Sequence, residues 1–156
     1  MAEKVFYSFH YHDDSQRVAR IKQIGALEGQ PLLDSNEWEK VEAGGDEAIK
    51  AYIDRHMADK TCLVVLVGER TSARRWVKYE IDKAWSDGLG VVAVYIHNMQ
   101  DLAGNQTDKG SDPFAGRSAT GKVYDPPFTT SSYVYNHIKD NLPAWVDEAV
   151  RARRTT

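Results

Sequence analysis

Apolar residues along the chain follow two patterns, which alternate over most of its length. Short runs rich in β-branched and aromatic residues predict strands, and apolar residues spaced three or four apart predict helices. Residues 61–67 and 91–96 are almost entirely apolar, which is typical of parallel strands that are covered on both faces. The other predicted strands are residues 4–9, 32–34 and 122–124.

Helices are predicted between these strands. The helical spacing covers residues 13–27, 48–59 and 74–87, and a last helix follows Thr130. Pro143 is expected to break or kink that last helix, because proline lacks the N–H that a helix interior needs.

Two stretches are predicted to be loops. Residues 35–42 form a polar segment around Trp38, and residues 98–130 are rich in glycine and proline apart from the short strand at 122–124. A loop as long as the second one is uncommon in a compact domain and is usually functional or mobile.

This alternation predicts a single α/β domain over residues 1–156. Strands that are joined through helices pair in parallel, and the helices then cover both faces of the sheet. We expect a three-layer, flavodoxin-like arrangement with a mostly parallel sheet of about five strands in the order 2-1-3-4-5. Ligands of such sheets bind at the carboxyl ends of the strands.

Composition and charge indicate which partners and which compartment to expect. The chain of 156 residues has a net charge of −3 and a pI near 5.9, whereas nucleic-acid binding needs a basic face, so no nucleic-acid partner is expected. No apolar run approaches the ~20 residues that span a membrane. The single Cys62 falls in a predicted buried strand, which fits a reducing compartment. Since the N-terminus shows no signal-peptide pattern, we expect a cytoplasmic protein without a membrane partner.

Several common nucleotide-binding motifs are missing after the first strand. The residues there are Ser8-Phe9-His10-Tyr11, with no G-x-G-x-x-G, no Walker A sequence and no loop rich in serine, threonine and glycine. A response regulator would need an acidic pair at this place and an aspartate at the end of the third strand, which instead ends at Val67. The sequence therefore argues against Rossmann dinucleotide sites, P-loop NTPases, flavodoxins and response regulators.

His10 and His12 lie two residues apart, and Asp13 and Asp14 follow directly. A distinct metal centre normally has three or four ligands, so we interpret this cluster as a polar loop and expect no metal site. Cys62 is interpreted as a small buried apolar residue rather than a nucleophile, because its strand would hold it away from a base.

Glu80 is the strongest candidate for chemistry, although an isolated glutamate in a helix is usually a solvated surface residue. Its helix follows the predicted central strand, and Trp76 lies one turn earlier on the same face. Aromatic rings around one acid suit a nucleotide or glycosidic substrate, because the rings stack on a base and the carboxylate stabilises an oxocarbenium-like charge. The residues that this topology would bring to one sheet edge are Ser8, Phe9, His10, Trp38, Trp76 and Glu80.

Five segments of the chain carry a resemblance to a known family. They are KVFYSFHYHDD at residues 4–14, LLDSNEWE at 32–39, CLVVLVGERTSARRWVKYEIDKAW at 62–85, VVAVYIHNMQDLAGN at 91–105 and KGSDPF at 109–114. In this order they resemble the TIR-like domains of the Thoeris anti-phage system, the ThsB group and its flavodoxin-like prokaryotic relatives. The resemblance covers most of residues 4–114.

This resemblance implies a TIR fold and a reaction in which NAD is the substrate and no separate cofactor is needed. Such enzymes break the bond between nicotinamide and ribose, release nicotinamide and join the ADP-ribose part to itself. The cyclic ADP-ribose isomer is a second messenger that activates a separate effector, which depletes NAD and stops the infected cell. TIR sites are often completed by a neighbouring subunit, so a homo-oligomer is a further implied partner.

The resemblance also implies roles for individual residues. Glu80 falls on the catalytic glutamate of the family, and the substrate pocket would be lined by Ser8, Phe9, His10 and Trp38. Trp76 and Arg75 are also predicted to be on the substrate side, with the helix start or a partner as their alternative contacts. The structural expectation is that Glu80 lines a concave site with Phe9 or Trp38 close by.

Two other functions remain open from the sequence. A TIR-like domain can act without catalysis, as a module that assembles with like domains. A nucleotide deoxyribosyltransferase-like activity on free nucleosides would use the same type of fold and a glutamate. A closed pocket, or a Glu80 side chain in solvent, would favour the assembly module.

Overall fold

The computed structural model describes residues 3–25 and 27–154. The strands are β1 (Lys4–Ser8), β2 (Glu28–Gly29), β3 (Cys62–Val67), β4 (Gly90–Tyr95) and β5 (Lys122–Tyr124). The helices are α1 (Tyr11–Lys22), α2 (Ser35–Ala43), α3 (Gly45–Met57), α4 (Arg75–Ser86) and α5 (Ser131–Arg154), with a short 3-10 turn at Thr71–Ala73 before α4. The outer residues 1, 2, 155 and 156 of the predicted domain lie outside the described residues.

The strands form one parallel sheet in the order β2-β1-β3-β4-β5, which confirms the predicted arrangement. The two apolar strands pair along their whole length, from Cys62 opposite Gly90 to Val67 opposite Tyr95. Every residue of β3 and β4 is buried, as expected for central strands with helices on both sides. Among the described helices, none combines the length and the apolar character that a membrane span requires.

Side chains that alternate along each strand divide the core into two halves. Val5 and Tyr7 of β1 face the layer that contains α1 and α5. Phe6 lies on the opposite face, against α3 and α4. Because side chains alternate with a period of two, Ser8 shares the face of Phe6 and is directed towards α4. This alternation sets the position of Ser8 in the site described below.

The second strand is not where the sequence predicted it. Residues 32–34 form no strand, and the pairing with β1 is made by Glu28 and Gly29 instead. Gln30 then extends the ladder with its side chain, because its Oε1 accepts from the Tyr7 N–H at 2.9 Å and its Nε2 donates to the Tyr7 carbonyl at 2.8 Å. A glutamine amide therefore takes the place of a third paired residue.

Residues 35–42 were predicted as a loop but belong to α2. The helix starts with a capping box, in which Asp34 Oδ1 accepts from the Glu37 N–H at 2.8 Å and Glu37 Oε1 accepts from the Asp34 N–H at 3.2 Å. A capping box satisfies two of the N–H groups that have no partner within the helix. No residue of α2 is buried, so its sequence has no apolar stripe from which the helix could be predicted.

Helix boundaries also differ from the predictions, and α3 covers Gly45–Met57 rather than residues 48–59. The first helix begins earlier, at Tyr11, and ends at Lys22 rather than near residue 27; the predicted helical position 26 lies outside the described residues. Pro143 lies inside α5 without ending it. Leu142 and Val146 on either side are buried against the sheet, and this packing outweighs the local preference of proline.

Candidate active site

A cavity lies at the carboxyl end of β1, bounded by α2, α3, α4 and the segment after β2. Its volume is about 60 Å³. The position agrees with the rule that open parallel sheets bind ligands at the carboxyl ends of their strands. Seven of its sixteen lining residues are aromatic: Phe6, Tyr7, Phe9, Tyr11, Trp38, Tyr52 and Trp76. The charged side chains that line it are those of Lys22, Arg74 and Glu80.

Glu80 is the one acid among the described residues that line this cavity. Helical spacing directs it inward, because Val77 and Ile81 on the same face of α4 pack into the core. The Ser8 hydroxyl donates a hydrogen bond of 2.7 Å to Glu80 Oε1 and fixes the carboxyl group at the end of β1. These two side chains are 72 positions apart in the sequence and meet because β1 and β3 pair in parallel.

The environment of Glu80 favours its neutral form in the absence of ligand. Burial raises the pKa of Glu80 from 4.5 to about 8, and the hydrogen bond from Ser8 opposes this rise. A carboxyl group with so perturbed a pKa in a cleft is a candidate for a catalytic role. The pKa of the neighbouring Tyr52 is also raised, to about 12, firstly by burial and secondly by the charge of Glu80.

Trp38 forms the part of the wall that belongs to α2. Its ring stacks on Tyr11 with 5.1 Å between centroids and meets Tyr52 edge-on at 6.4 Å. The indole N–H is buried and has no hydrogen-bond partner among the described residues. A buried donor without a partner costs about 1–3 kcal/mol, so a ligand acceptor at this place would be favoured.

Four of the predicted site residues line the cavity together: Phe9, Trp38, Trp76 and Glu80. Ser8 does not line the cavity itself but donates a hydrogen bond to Glu80. Glu80 thus lies in a concave site that it shares with both Phe9 and Trp38, as the structural expectation required. Glu80 is 9% exposed, so it is not a solvated residue of the helix surface.

His10 and Arg75, the other two predicted site residues, are placed outside the cavity wall. His10 is the N-cap of α1, where its Nδ1 accepts from the Asp13 N–H at 3.1 Å. Arg75 is exposed, donates hydrogen bonds of 2.6 and 3.2 Å to Asp46 and lies 4.6 Å over the Trp76 ring. Substrate contacts by either residue stay predictions.

The sequence-based interpretation missed Tyr11, Tyr52 and Arg74 as parts of the wall. Tyr52 was assigned to the apolar face of its helix, which gives no sign that one ring reaches a cavity. Tyr11 directly follows the predicted site residue His10 and could have been included on position alone. Arg74 was assigned to the helix, but it is the N-cap of α4, so the first helical residue is Arg75.

His12 and Cys62, which the sequence analysis considered as a metal ligand and as a nucleophile, lie outside the cavity wall. His12 lies 3.6 Å from Glu42 and is exposed, and burial lowers the pKa of His10. Cys62 is fully buried, and burial raises the pKa of its thiol, which makes a thiolate nucleophile unfavourable.

Comparison with known proteins places the chain in a family. The family model described as "Thoeris protein ThsB, TIR-like domain" matches residues 6–101, a stretch that contains the last three residues of β1, all of β2 to β4, and Glu80. The chain belongs to the ThsB TIR-like family. The predicted family is therefore confirmed, and the candidate site lies entirely within the matched residues.

A protein of Bacillus cereus (strain MSX-D12), named "Putative cyclic ADP-D-ribose synthase ThsB1", is similar to the chain at 32% identity over 123 residues. The matched stretch covers 73% of this chain and 62% of that relative. The chain thus spans less than two thirds of the length of this relative.

The raised pKa of Glu80 has a consequence for stability that Glu80→Gln would reveal. Between pH 4.5 and about 8 the folded protein holds a proton that the unfolded chain has released. The stability from this group is therefore complete below pH 4.5 and falls as the pH rises through about 8, by up to about 1.4 kcal/mol per pH unit. Glutamine does not titrate, so the variant should lack this decline in urea unfolding measured between pH 5 and 8.

The comparison with the wild type isolates Glu80, because other shifted groups are present in both proteins. Asp14, whose pKa burial raises to about 6, contributes the same dependence to each. Parallel stability curves for the two proteins would show that Glu80 has an ordinary pKa.

Proposed function

We propose that this protein cleaves NAD between nicotinamide and ribose and joins the remaining ADP-ribose to itself, which gives a cyclic ADP-ribose-type product. The observation that carries the proposal is the Glu80 carboxyl group, buried next to Ser8 in an aromatic cavity. Membership of the ThsB family and the name of the relative from Bacillus cereus support the same activity.

In this proposal, cleavage of the N-glycosidic bond needs a bound NAD molecule and the negative charge of the Glu80 carboxylate. The electron pair of the N-glycosidic bond leaves with nicotinamide, whose ring nitrogen changes from a cation to a neutral atom. The ribose C1′ becomes oxocarbenium-like, and the Glu80 carboxylate stabilises it. A nucleophile on the ADP part of the same molecule then attacks C1′, so no water is consumed; attack by water would give linear ADP-ribose.

The aromatic wall would supply most of the binding. Nicotinamide and adenine are flat rings, and stacking on aromatic side chains such as Trp38 is worth about 1–3 kcal/mol per base in nucleic-acid complexes. The unpartnered Trp38 N–H would donate to an oxygen of the substrate. NAD is the substrate here, and no further cofactor takes part. We place the reaction in the cytoplasm, where the product would reach a separate effector during phage infection.

The cavity must enlarge to admit the substrate. Its volume of about 60 Å³ is well below the range of about 300–1,000 Å³ for typical ligand pockets. The α2 helix is the wall that can move at least cost, because none of its residues is buried. Its displacement would separate Trp38 from Tyr11, whose rings stack at 5.1 Å.

The pH dependence of the reaction should follow the ionisation of Glu80. The acid is neutral below its pKa of about 8, so kcat/KM for NAD should rise about tenfold per pH unit from pH 6 towards pH 8. Because the Ser8 hydrogen bond lowers the pKa of Glu80, Ser8→Ala should shift the profile to higher pH. A profile that is flat from pH 6 to 8 in the wild type would contradict an ionised Glu80 as the active form.

The test of the function itself is to incubate the protein with NAD and to follow nicotinamide by chromatography. Mass spectrometry of the second product separates cyclic from linear ADP-ribose. Extract from phage-infected cells should be included in a parallel sample, because TIR enzymes often need a trigger. Nicotinamide and a cyclic product support the proposal. If neither sample contains nicotinamide and the protein self-associates, the result would favour the non-catalytic assembly module.

A further inference from the structure

Arg74 is a cation of the cavity wall that the proposed reaction has not yet used. It lies in the turn before α4 as the N-cap residue, and its side chain is half-buried. It lines the same cavity as Trp76 and Glu80. It precedes Glu80 by six residues, which corresponds to about 9 Å along a helix axis.

The neighbouring arginines are already bound to acids, whereas Arg74 is not. Arg70 donates two hydrogen bonds to Asp13, and Arg75 donates two to Asp46. In the described part of the chain, the Arg74 guanidinium makes neither a hydrogen bond nor an ion pair. Its charge contributes to the low pKa of Asp13, but that carboxylate is occupied by Arg70.

The cavity as a whole carries positive charge at neutral pH. Lys22 is a second cation in its wall, although its ammonium group donates to the Gln30 carbonyl. Burial keeps Glu80 largely neutral there, since its pKa is about 8. A half-buried guanidinium without an acid partner, in a site with an excess of cations, is suited to a doubly charged anion.

We propose that Arg74 binds the diphosphate that joins the two halves of the dinucleotide, and that it thereby sets a preference for NAD over nicotinamide riboside. This inference rests on the proposed function. A ribose held at Glu80 would place its phosphate within reach of an arginine side chain at the start of the same helix. The planar guanidinium can donate two parallel hydrogen bonds to phosphate oxygens. Arg74 is thus a substrate-positioning residue and takes no part in bond cleavage.

The test compares Arg74→Ala with the wild type on two substrates, NAD and nicotinamide riboside, which lacks phosphate. Charged hydrogen bonds contribute about 1.5–3 kcal/mol, so kcat/KM for NAD should fall about 10- to 150-fold. For nicotinamide riboside it should change by less than about threefold, because that substrate never reaches Arg74. Arg74→Lys keeps the charge without the planar fork and should give an intermediate loss for NAD.

Lys78→Ala is the matched control, because it removes an exposed cation one turn along the same helix and outside the cavity wall. Lys78→Ala should leave kcat/KM unchanged for both substrates. Equal losses on NAD and nicotinamide riboside, or no loss on NAD, would overturn the role of Arg74 and leave the NAD-cleaving function intact. The same result from Arg75→Ala in place of Arg74→Ala would move the diphosphate to Arg75, the arginine that the sequence analysis put on the substrate side.

A binding experiment separates this inference from the proposed function. Calorimetry with ADP and with adenosine needs no turnover. The wild type should bind ADP at least about tenfold more tightly than Arg74→Ala does, while adenosine should not discriminate between them. Equal affinity of the two proteins for ADP overturns the inference even if the wild type proves to be inactive on NAD. Equal unfolding midpoints of the two proteins exclude misfolding as the cause of a difference.

Discussion

Replacing Glu80 with glutamine is expected to reduce nicotinamide release from NAD by about a thousandfold. Glutamine has nearly the same shape, and its side-chain oxygen can still accept the hydrogen bond from Ser8. It cannot carry the negative charge that stabilises an oxocarbenium-like ribose. Losing one such electrostatic contact costs about 10²–10³ in kcat in other enzymes, and here the full charge is lost.

The fold of this variant should be intact, because the folded wild type already holds Glu80 in its neutral form at pH 7. Glu39→Gln is the matched control: it makes the same chemical change on the exposed surface of α2 and should retain wild-type activity. The assay is chromatographic detection of nicotinamide at saturating NAD, with circular dichroism of each protein. If Glu80→Gln kept more than a tenth of the activity while Glu39→Gln was normal, Glu80 would not be the catalytic residue.

The position of Glu80 was predictable because it depends on features that repeat along the chain. Alternation along β1 directs Ser8 towards the α4 layer, and helical spacing directs Glu80 towards the sheet. The parallel order then brings the end of β1 next to the start of α4. Each step uses a regular period or a topological rule, so a contact between residues 72 positions apart could be expected from the sequence.

The elements that line the other side of the cavity were harder to predict. The α2 helix is held by its capping box and the stacking of Trp38, not by an apolar stripe. The pattern Asp34-x-x-Glu37 was a local signal for its start that the sequence-based interpretation did not use. The short β2 could not have been found from strand propensity, because Gln30 completes the pairing with its side chain.

Which of two adjacent arginines lines the cavity depends on one residue in the position of the helix start. Each residue turns an α-helix by about 100°, so a shift of one residue exchanges the cavity side for the solvent side. Arg74 is the N-cap and lines the cavity, whereas Arg75 is the first helical residue and pairs with Asp46. Helix ends are the part of a prediction that sequence patterns locate least well.

Replacing Arg17 with methionine is expected to destabilise the fold by about 3–5 kcal/mol, the usual cost of removing one partner of a buried ion pair. Arg17 is 1% exposed and donates to Asp14 at 2.9 Å. It also donates to the carbonyls of Met99 and Asn105 at 2.7 and 2.6 Å, which ties α1 to the loop after β4. Methionine would fill the space but leave these acceptors without a donor.

The partner of Arg17 allows a sharper control. The Asp14 carboxyl group packs against the backbone of Gly68, where a Cβ would overlap it, so it has no room on that side once Arg17 is gone. Asp14→Asn removes the charge but keeps the size. In urea unfolding, the double variant should therefore be at least about 1 kcal/mol more stable than the sum of the two single losses predicts. Additive losses would mean that Arg17 acts through the loop carbonyls alone, and an unchanged unfolding midpoint in Arg17→Met would remove its anchoring role altogether.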